Sequence, residues 1–245
     1  MCYDFPMQDW QVGKLIKKEM AASDVTGLIF SLPRFQKAMA GQHYDIRLTA
    51  EGGYVAERSY SLASPPEEVG VAEFGVQFVE NGEVSGYLRE LSLGAEVEMR
   101  GPLGGHFVWC HTMPGPLVLI GGGSGMVPLM SMLRHHVRNF VPREVIFLVS
   151  AKTVDRILYR EELLKYAREV AGFRFVEAIT DMAPEGFGGY TRRVDLPMLK
   201  EVFGGLAYKM PMAYICGRTG FVEAVTPGLI QLGFNSHEIK TERFG

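Results

Sequence analysis

The sequence predicts two domains, an antiparallel β-barrel over residues 1–113 followed by an α/β domain with a parallel sheet over 114–245. Three observations carry that expectation. The first part alternates apolar and polar residues in short runs separated by Gly- and Pro-rich turns, the pattern of half-buried strands. Past Met113-Pro114-Gly115-Pro116 the rhythm changes to apolar runs alternating with helix-length segments, the pattern of βαβ units. The first of those runs, Leu117-Val118-Leu119-Ile120, leads into Gly121-Gly122-Gly123-Ser124-Gly125 and then Met126-Val127-Pro128, which reads as strand, tight turn and helix start.

Strands are expected over Trp10 to Glu19, Val25 to Leu32, His43 to Ala50, Tyr54 to Ser61, Phe74 to Glu80, Ala95 to Arg100 and His106 to Cys110. Alternation such as Asp45-Ile46-Arg47-Leu48-Thr49 puts one face of each against a core. Gly41-Gln42, Gly52-Gly53, Pro65-Pro66, Asn81-Gly82 and Gly101-Pro102 supply turns. Ser85 to Leu91 reads as a short helix with Ser85 as its cap. Many short strands with one short helix suggest a small barrel. In the second part, strands are expected at Leu117 to Ile120, Val145 to Val149, Phe173 to Ile179 and Ala213 to Cys216. Helices fall at Val127 to Phe140, Tyr159 to Val170, Asp195 to Phe203 and Phe221 to Leu232. In the second of these helices, Leu163, Leu164, Ala167 and Val170 share a face at helical spacing.

Composition bounds the function. The 245 residues are 47% hydrophobic and 22% charged with a formal net charge of −3, the balance of a globular protein with no electrostatic reason to bind nucleic acid. No apolar run approaches the roughly 20 residues that span a membrane. Met1-Cys2-Tyr3-Asp4-Phe5 lacks the basic-then-apolar pattern of a secretory signal, so a cytoplasmic location is expected. Cys2, Cys110 and Cys216 are odd in number and far apart, against a disulfide framework and too few for a four-cysteine iron–sulfur cluster. Electron transfer by this chain would therefore use a bound organic cofactor. His135 and His136 are adjacent on a helix and point to different faces, so no metal site is expected there. Trp109 and the methionines read as core, and Arg192-Arg193 as a solvated pair.

Two stretches point to chemistry. The glycine turn at 121–125 lets backbone N–H groups approach a pyrophosphate, with the positive end of a helix behind them. Alone, it can also be read as an ordinary strand–helix turn. Arg58-Ser59-Tyr60-Ser61 sets a cation, an aromatic ring and a hydroxyl at alternating positions on one strand face, fit to hold a phosphate and stack a planar ring. Alone, it is also a surface strand.

In order along the chain stand Arg58-Ser59-Tyr60-Ser61, Gly101-Pro102-Leu103-Gly104-Gly105-His106-Phe107, the turn at 121–125, Cys216-Gly217-Arg218-Thr219-Gly220-Phe221-Val222 and the terminal Lys240-Thr241-Glu242-Arg243-Phe244-Gly245. This set and its spacing resemble the ferredoxin–NADP reductase superfamily of flavin-dependent oxidoreductases, from about Trp10 to Gly245. The chain is most similar to the short bacterial members without a fused iron–sulfur or haem domain.

The resemblance implies a flavin-binding barrel and a nucleotide-binding α/β domain. Arg58 would pair with the flavin pyrophosphate, its guanidinium fork matching phosphate oxygens. Tyr60 would lie on the isoalloxazine, with Ser59 in the same contact stretch and Ser61 bonded near N5, the atom that receives hydride. Val84 and Ser85 would hold the pyrophosphate at the start of the short helix, although Glu83 departs from the commoner Gly-x-x-Ser form. Gly121, Gly122, Gly123, Ser124 and Gly125 would cradle the pyrophosphate of a nicotinamide dinucleotide. Cys216 and Gly217 would stand beside the nicotinamide, with Arg218 where relatives usually carry proline. Phe244 would stack on the flavin opposite Tyr60, and Glu242 would relay protons.

Ser150, Lys152 and Arg156, with no acid at the strand tip, would favour the 2′-phosphate of NADPH over NADH. FAD is expected ahead of FMN. Ser61, Cys216 and Glu242 are thus the expected catalytic residues. The expected activity takes hydride from NADPH to flavin and passes electrons to a separate acceptor, such as a ferredoxin or an oxygenase component, with the protein a monomer. The rivals are reduction of a diffusible small-molecule acceptor, and a non-catalytic flavin electron-transfer subunit.

Overall fold

The computed structural model describes residues 9–34, 36–50 and 52–244. The N-terminal pentapeptide, Cys2 and Gly245 lie outside the described residues. The chain divides into two compact units, Met1–Cys110 with Met130–Arg138, and His111–Leu129 with Asn139–Gly245.

The first unit is built on six strands: β1 (Gln11–Ala22), β2 (Val25–Ser31), β3 (His43–Thr49), β4 (Val55–Ser61), β5 (Val71–Gln77) and β6 (Glu96–Leu103). They form one antiparallel sheet in the order β4-β3-β6-β1-β2-β5. The two end strands meet through an isolated bridge between Leu62 and Phe74. Alternation works as expected: Tyr44 and Ile46 of β3, Val97 and Met99 of β6, and Leu28 and Phe30 of β2 are buried in one cluster. Helix α1 (Glu83–Glu90) covers that cluster with Val84 and Leu88. The helix starts earlier than expected. Gly82, not Ser85, occupies the cap position, and no side chain caps the helix.

The expected strand at His106 to Cys110 does not form. Only Trp109 pairs, in a single bridge with Ala40. Trp109 is fully buried, and the rings of His135 and His136 meet it edge-on at 5.6 and 6.3 Å between centroids. Both histidines are thus core residues despite their adjacency. Arg134 donates to Glu73 at 2.7 Å and to the Ala63 carbonyl at 3.0 Å, so this buried cation is paired as a buried charge must be.

The second unit has a five-stranded parallel sheet in the order β11-β10-β7-β8-β9. Its strands are β7 (Leu117–Gly122), β8 (Val145–Thr153), β9 (Phe173–Met182), β10 (Met212–Arg218) and β11 (Ile239–Phe244). The central strands are continuous apolar runs, as strands buried on both faces require. Helix α2 (Met126–Asn139) starts in this unit, its stretch Met130–Arg138 counting with the first, and the further helices are α3 (Arg160–Glu169), α4 (Leu196–Phe203) and α5 (Thr219–Gln231). Asp195 caps α4 by accepting from the Met198 N–H at 2.8 Å. On α3 the expected apolar face narrows to Leu163, because Ala167 is exposed. Arg143 fans its guanidinium over the carbonyls of His111, Met113 and Gly115, which fixes the proline-rich join. β11 is a strand the sequence did not announce. Among the described residues no helix is long and apolar enough to cross a membrane.

Leu88 is fully buried beneath α1. Leu88→Ala should destabilise the first unit by about 2–5 kcal/mol, the range for emptying a leucine-sized space, and a lower urea midpoint would register it.

Candidate active site

In the first unit, the edge strand β4 presents the Arg58–Ser61 stretch. Neighbouring residues on a strand face opposite ways, so Arg58 and Tyr60 share one face while Ser59 and Ser61 take the other. The expected hydroxyl on the Arg58–Tyr60 face is corrected accordingly. Arg58 is exposed, and its Nη1 donates to the adjacent Glu57 carbonyl at 2.7 Å, a local contact that leaves the guanidinium at the surface. Tyr60 is half-buried, and burial pushes its phenol up to about 12, so it stays neutral. Ser59 donates to Asp45 Oδ1 at 2.7 Å, and Arg100 holds the other oxygen of that carboxylate at 2.7 Å. Ser61 is buried at the end of the strand.

Helix α1 begins at Glu83, with the first intrahelical bond running from the Gly86 N–H to the Gly82 carbonyl. The N–H groups before Gly86 precede the first hydrogen-bonded turn, and no side chain caps them. Val84 packs into the core. Ser85 Oγ accepts from the Val79 N–H at 3.3 Å and donates to the Gly82 carbonyl at 3.4 Å, which ties the preceding turn to the helix. An exposed guanidinium, a half-buried ring and an uncapped first turn are a donor set that fits a flavin with phosphate groups.

In the second unit, the glycine turn separates into positions with different reasons for being glycine. Gly121 and Gly122 end β7, Gly123 to Gly125 form one 3₁₀ turn, and α2 follows. A Cβ on Gly125 would overlap the Cys216 carbonyl and lie 2.7 Å from the Gly217 nitrogen. A Cβ on Gly122 would meet the Phe221 ring at 3.0 Å. Gly123 differs: its φ is +58°, and a Cβ there would meet nothing within 4 Å. This is an open cradle whose backbone conformation suits glycine, and it fits a phosphate-bearing dinucleotide.

Cys216 is fully buried on β10, opposite Gly121 of β7 and Glu242 of β11. Its Sγ lies 4.0 Å from Glu242 Oε2. Burial, helped by the Glu242 charge, pushes the thiol well above its usual range. Burial also pushes Glu242 up to about 7. A carboxyl poised there can hold or release a proton near neutral pH, whereas the thiol stays protonated. Phe244 is half-buried, two residues along β11 from Glu242 and on the same face, with Arg218 as its strand partner. Arg218 is exposed at φ −63°, ψ 150°, angles that proline also adopts, so the departure from the family's usual residue leaves the path of the turn intact.

Ser150 of β8 pairs with Gly122 of β7, and Lys152 lies exposed two residues on, where the register of β8 with β9 shifts. The strand runs on to Thr153, and Arg156 closes the 3₁₀ turn after it. That turn also carries the exposed Asp155, so an acid does stand just past the true strand tip. Sequence reasoning gave no role to Phe221, whose part shows only in the space left by Gly122 and Gly217.

Residues 12–109 match the model of an oxidoreductase FAD-binding domain, and residues 119–226 that of an oxidoreductase NAD-binding domain. Ferredoxin–NADP reductase B of Sorangium cellulosum is 31% identical over 208 residues, covering 84% of each chain. The chain belongs to the ferredoxin–NADP reductase superfamily. The reductase component of propane 2-monooxygenase from Rhodococcus jostii is 28% identical over 98% of this chain, which spans 64% of that relative's length. The FAD/NAD-binding domain of a Vibrio cholerae nitric oxide dioxygenase superposes with a TM-score of 0.84 at 22% identity, over 96% of this chain and 98% of that one, and shares the fold.

The elevated Glu242 carboxyl has a consequence for stability. The folded chain keeps a proton that the unfolded chain releases above about pH 4. Stability is therefore lost as pH rises toward 7, by up to about 3 kcal/mol for a shift of this size. Glu242→Gln should raise the melting temperature at pH 8 and leave it unchanged near pH 4. An equal effect at both pH values would contradict the assignment.

Proposed function

We propose that the chain is an NAD(P)H-dependent flavoprotein reductase that takes reducing equivalents from NADPH and passes them to a separate acceptor protein, such as a ferredoxin or an oxygenase component. FAD is the resident cofactor. When bound, the flavin supplies the redox chemistry, accepting hydride from the nicotinamide and releasing electrons to the acceptor. The observation that carries the reading is the open, positive-φ cradle at Gly123, in the turn directly after β7 of the sheet that holds the Cys216–Glu242 pair. The name of the propane 2-monooxygenase relative, a reductase component, supports a partner protein as acceptor.

In this reading Arg58 and the first turn of α1, with Val84 and Ser85, bind the flavin phosphates. Tyr60 holds the ring, and Ser59 and Ser61, on the other face, brace the strand that presents it. Gly121 to Gly125 hold the donor's pyrophosphate, and Ser150, Lys152 and Arg156 receive its 2′-phosphate. Cys216 and Gly217 border the nicotinamide. Phe244 shields the flavin until the donor arrives, and Glu242 holds the proton that hydride chemistry must balance. The same reading takes the domain boundary at residues 113 and 114 and the protein as a cytoplasmic monomer. It closes the first sheet as a barrel, which the bridge between Leu62 and Phe74 supports.

Purified protein should be yellow, and anaerobic NADPH should bleach the flavin band. Absence of flavin overturns the reading, and bound flavin that ignores both NADPH and NADH favours a non-catalytic subunit. Alanine at a left-handed position costs about 1–2 kcal/mol, so Gly123→Ala should weaken nicotinamide binding about tenfold with flavin content unchanged. Loss of flavin in a folded variant would refute that division of labour. Lys152→Ala should lower the affinity for NADPH while leaving that for NADH as it was, compared in the same titrations.

A further inference from the structure

Phe221 lies half-buried on the first turn of α5, against the core beneath the sheet but outside its fully buried set. Its surroundings are specific. Gly122 has φ −120° and ψ 119°, ordinary extended backbone that any residue adopts, so conformation does not require glycine there. The three atoms nearest to a Cβ on Gly122 all belong to the Phe221 ring, at 3.0, 3.1 and 3.2 Å. A Cβ on Gly217 would lie 2.8 Å from Cδ1 of the same ring. Gly122 ends β7 and Gly217 lies near the end of β10, its immediate neighbour in the sheet. The ring thus fills the space of two missing side chains, one on each of two adjacent strand ends.

We propose that Phe221 is a positioning residue for the donor site. Its ring is a rigid wedge that locks the end of β7, and so the Gly123 cradle, to the end of β10, and so Cys216 and Gly217. A planar ring with two side-chain torsions transmits position better than a flexible chain of the same volume, because packed interiors deform little. The wedge sets the separation between the groups that hold the donor's phosphates and those that border its nicotinamide. That separation must match the ligand, since misplacement of about 1 Å can cost on the order of a hundredfold in rate. The inference rests on the proposed donor site and adds to it a residue that binds nothing itself.

The test is a double-mutant cycle on the flavin-loaded protein, comparing wild type, Gly122→Ala, Phe221→Ala and the pair. NADP⁺ binding is measured by calorimetry, flavin reduction at saturating NADPH by stopped flow with a deuterated donor, and folding by thermal melting. Each single variant should weaken NADP⁺ binding about tenfold, as overpacking or an emptied slot implies, and should slow reduction at saturation. The pair should be no worse than the worse single variant, because the new methyl group enters the vacated ring space. Phe221→Leu, which keeps apolar volume and guards against simple unfolding, should fall between wild type and Phe221→Ala. The wedge is overturned if Phe221→Ala melts lower yet binds and is reduced like wild type, or if the single effects add. If wild type binds neither nucleotide and is not reduced, the functional reading falls and the wedge with it.

Discussion

The second unit depends on how closely two backbone segments approach at the carboxyl ends of its central strands. Gly125, in the turn after β7, packs directly on the peptide between Cys216 and Gly217 at the end of β10. Any side chain at residue 125 would force these segments apart. Because the strands are parallel, both ends open on the same side of the sheet, where open α/β sheets bind their ligands. The approach brings the open glycine turn and a buried cysteine together without any loop long enough to drift.

The same geometry explains the electrostatics. Parallel pairing of β10 with β11 sets Glu242 beside Cys216, 26 residues earlier in the chain. Neither group is charged at low cost there, and burial dominates both shifts. The outcome differs by chemistry. The thiol, already a weak acid, is driven out of the range in which it ionises, while the carboxyl is brought into it. Cys216 therefore contributes shape and polarisability, and Glu242 is the member of the pair able to exchange a proton near neutral pH.

What was legible in the sequence follows from what is local. Alternation in β3 and β4, apolar runs in β7 and β10, and the helical segment of α4 are written in neighbouring residues, and those elements form where expected. Ile239 to Phe244 carries alternating polar residues and no turn signal that distinguishes a strand from a tail. It becomes a strand because β10 offers a free edge, a partner that composition does not reveal. His106 to Cys110 shows the converse, a strand-like run that finds a single bridge, through Trp109, whose ring is buried against His135 and His136. In the site, the glycine cluster was visible as a cluster. The reason for each glycine was not, because Gly122 answers to Phe221 and Gly125 to Cys216, contacts that bridge about a hundred residues of chain.

Separating the glycines changes what the turn means. If all four served the ligand, each substitution would affect binding through the same contact. Instead Gly121, Gly122 and Gly125 are small because protein already occupies the space, by Met126 and Leu129, by Phe221 and by the Cys216 peptide respectively. Only Gly123 combines a left-handed backbone with open surroundings. Half-buried Gly123 presents open backbone, and its packed neighbours hold that residue in register with the cysteine strand. On the proposed function the motif is a short rigid bracket whose packed glycines hold Gly123 in place. Its ability to position a ligand comes from the packing behind it as much as from the N–H groups in front.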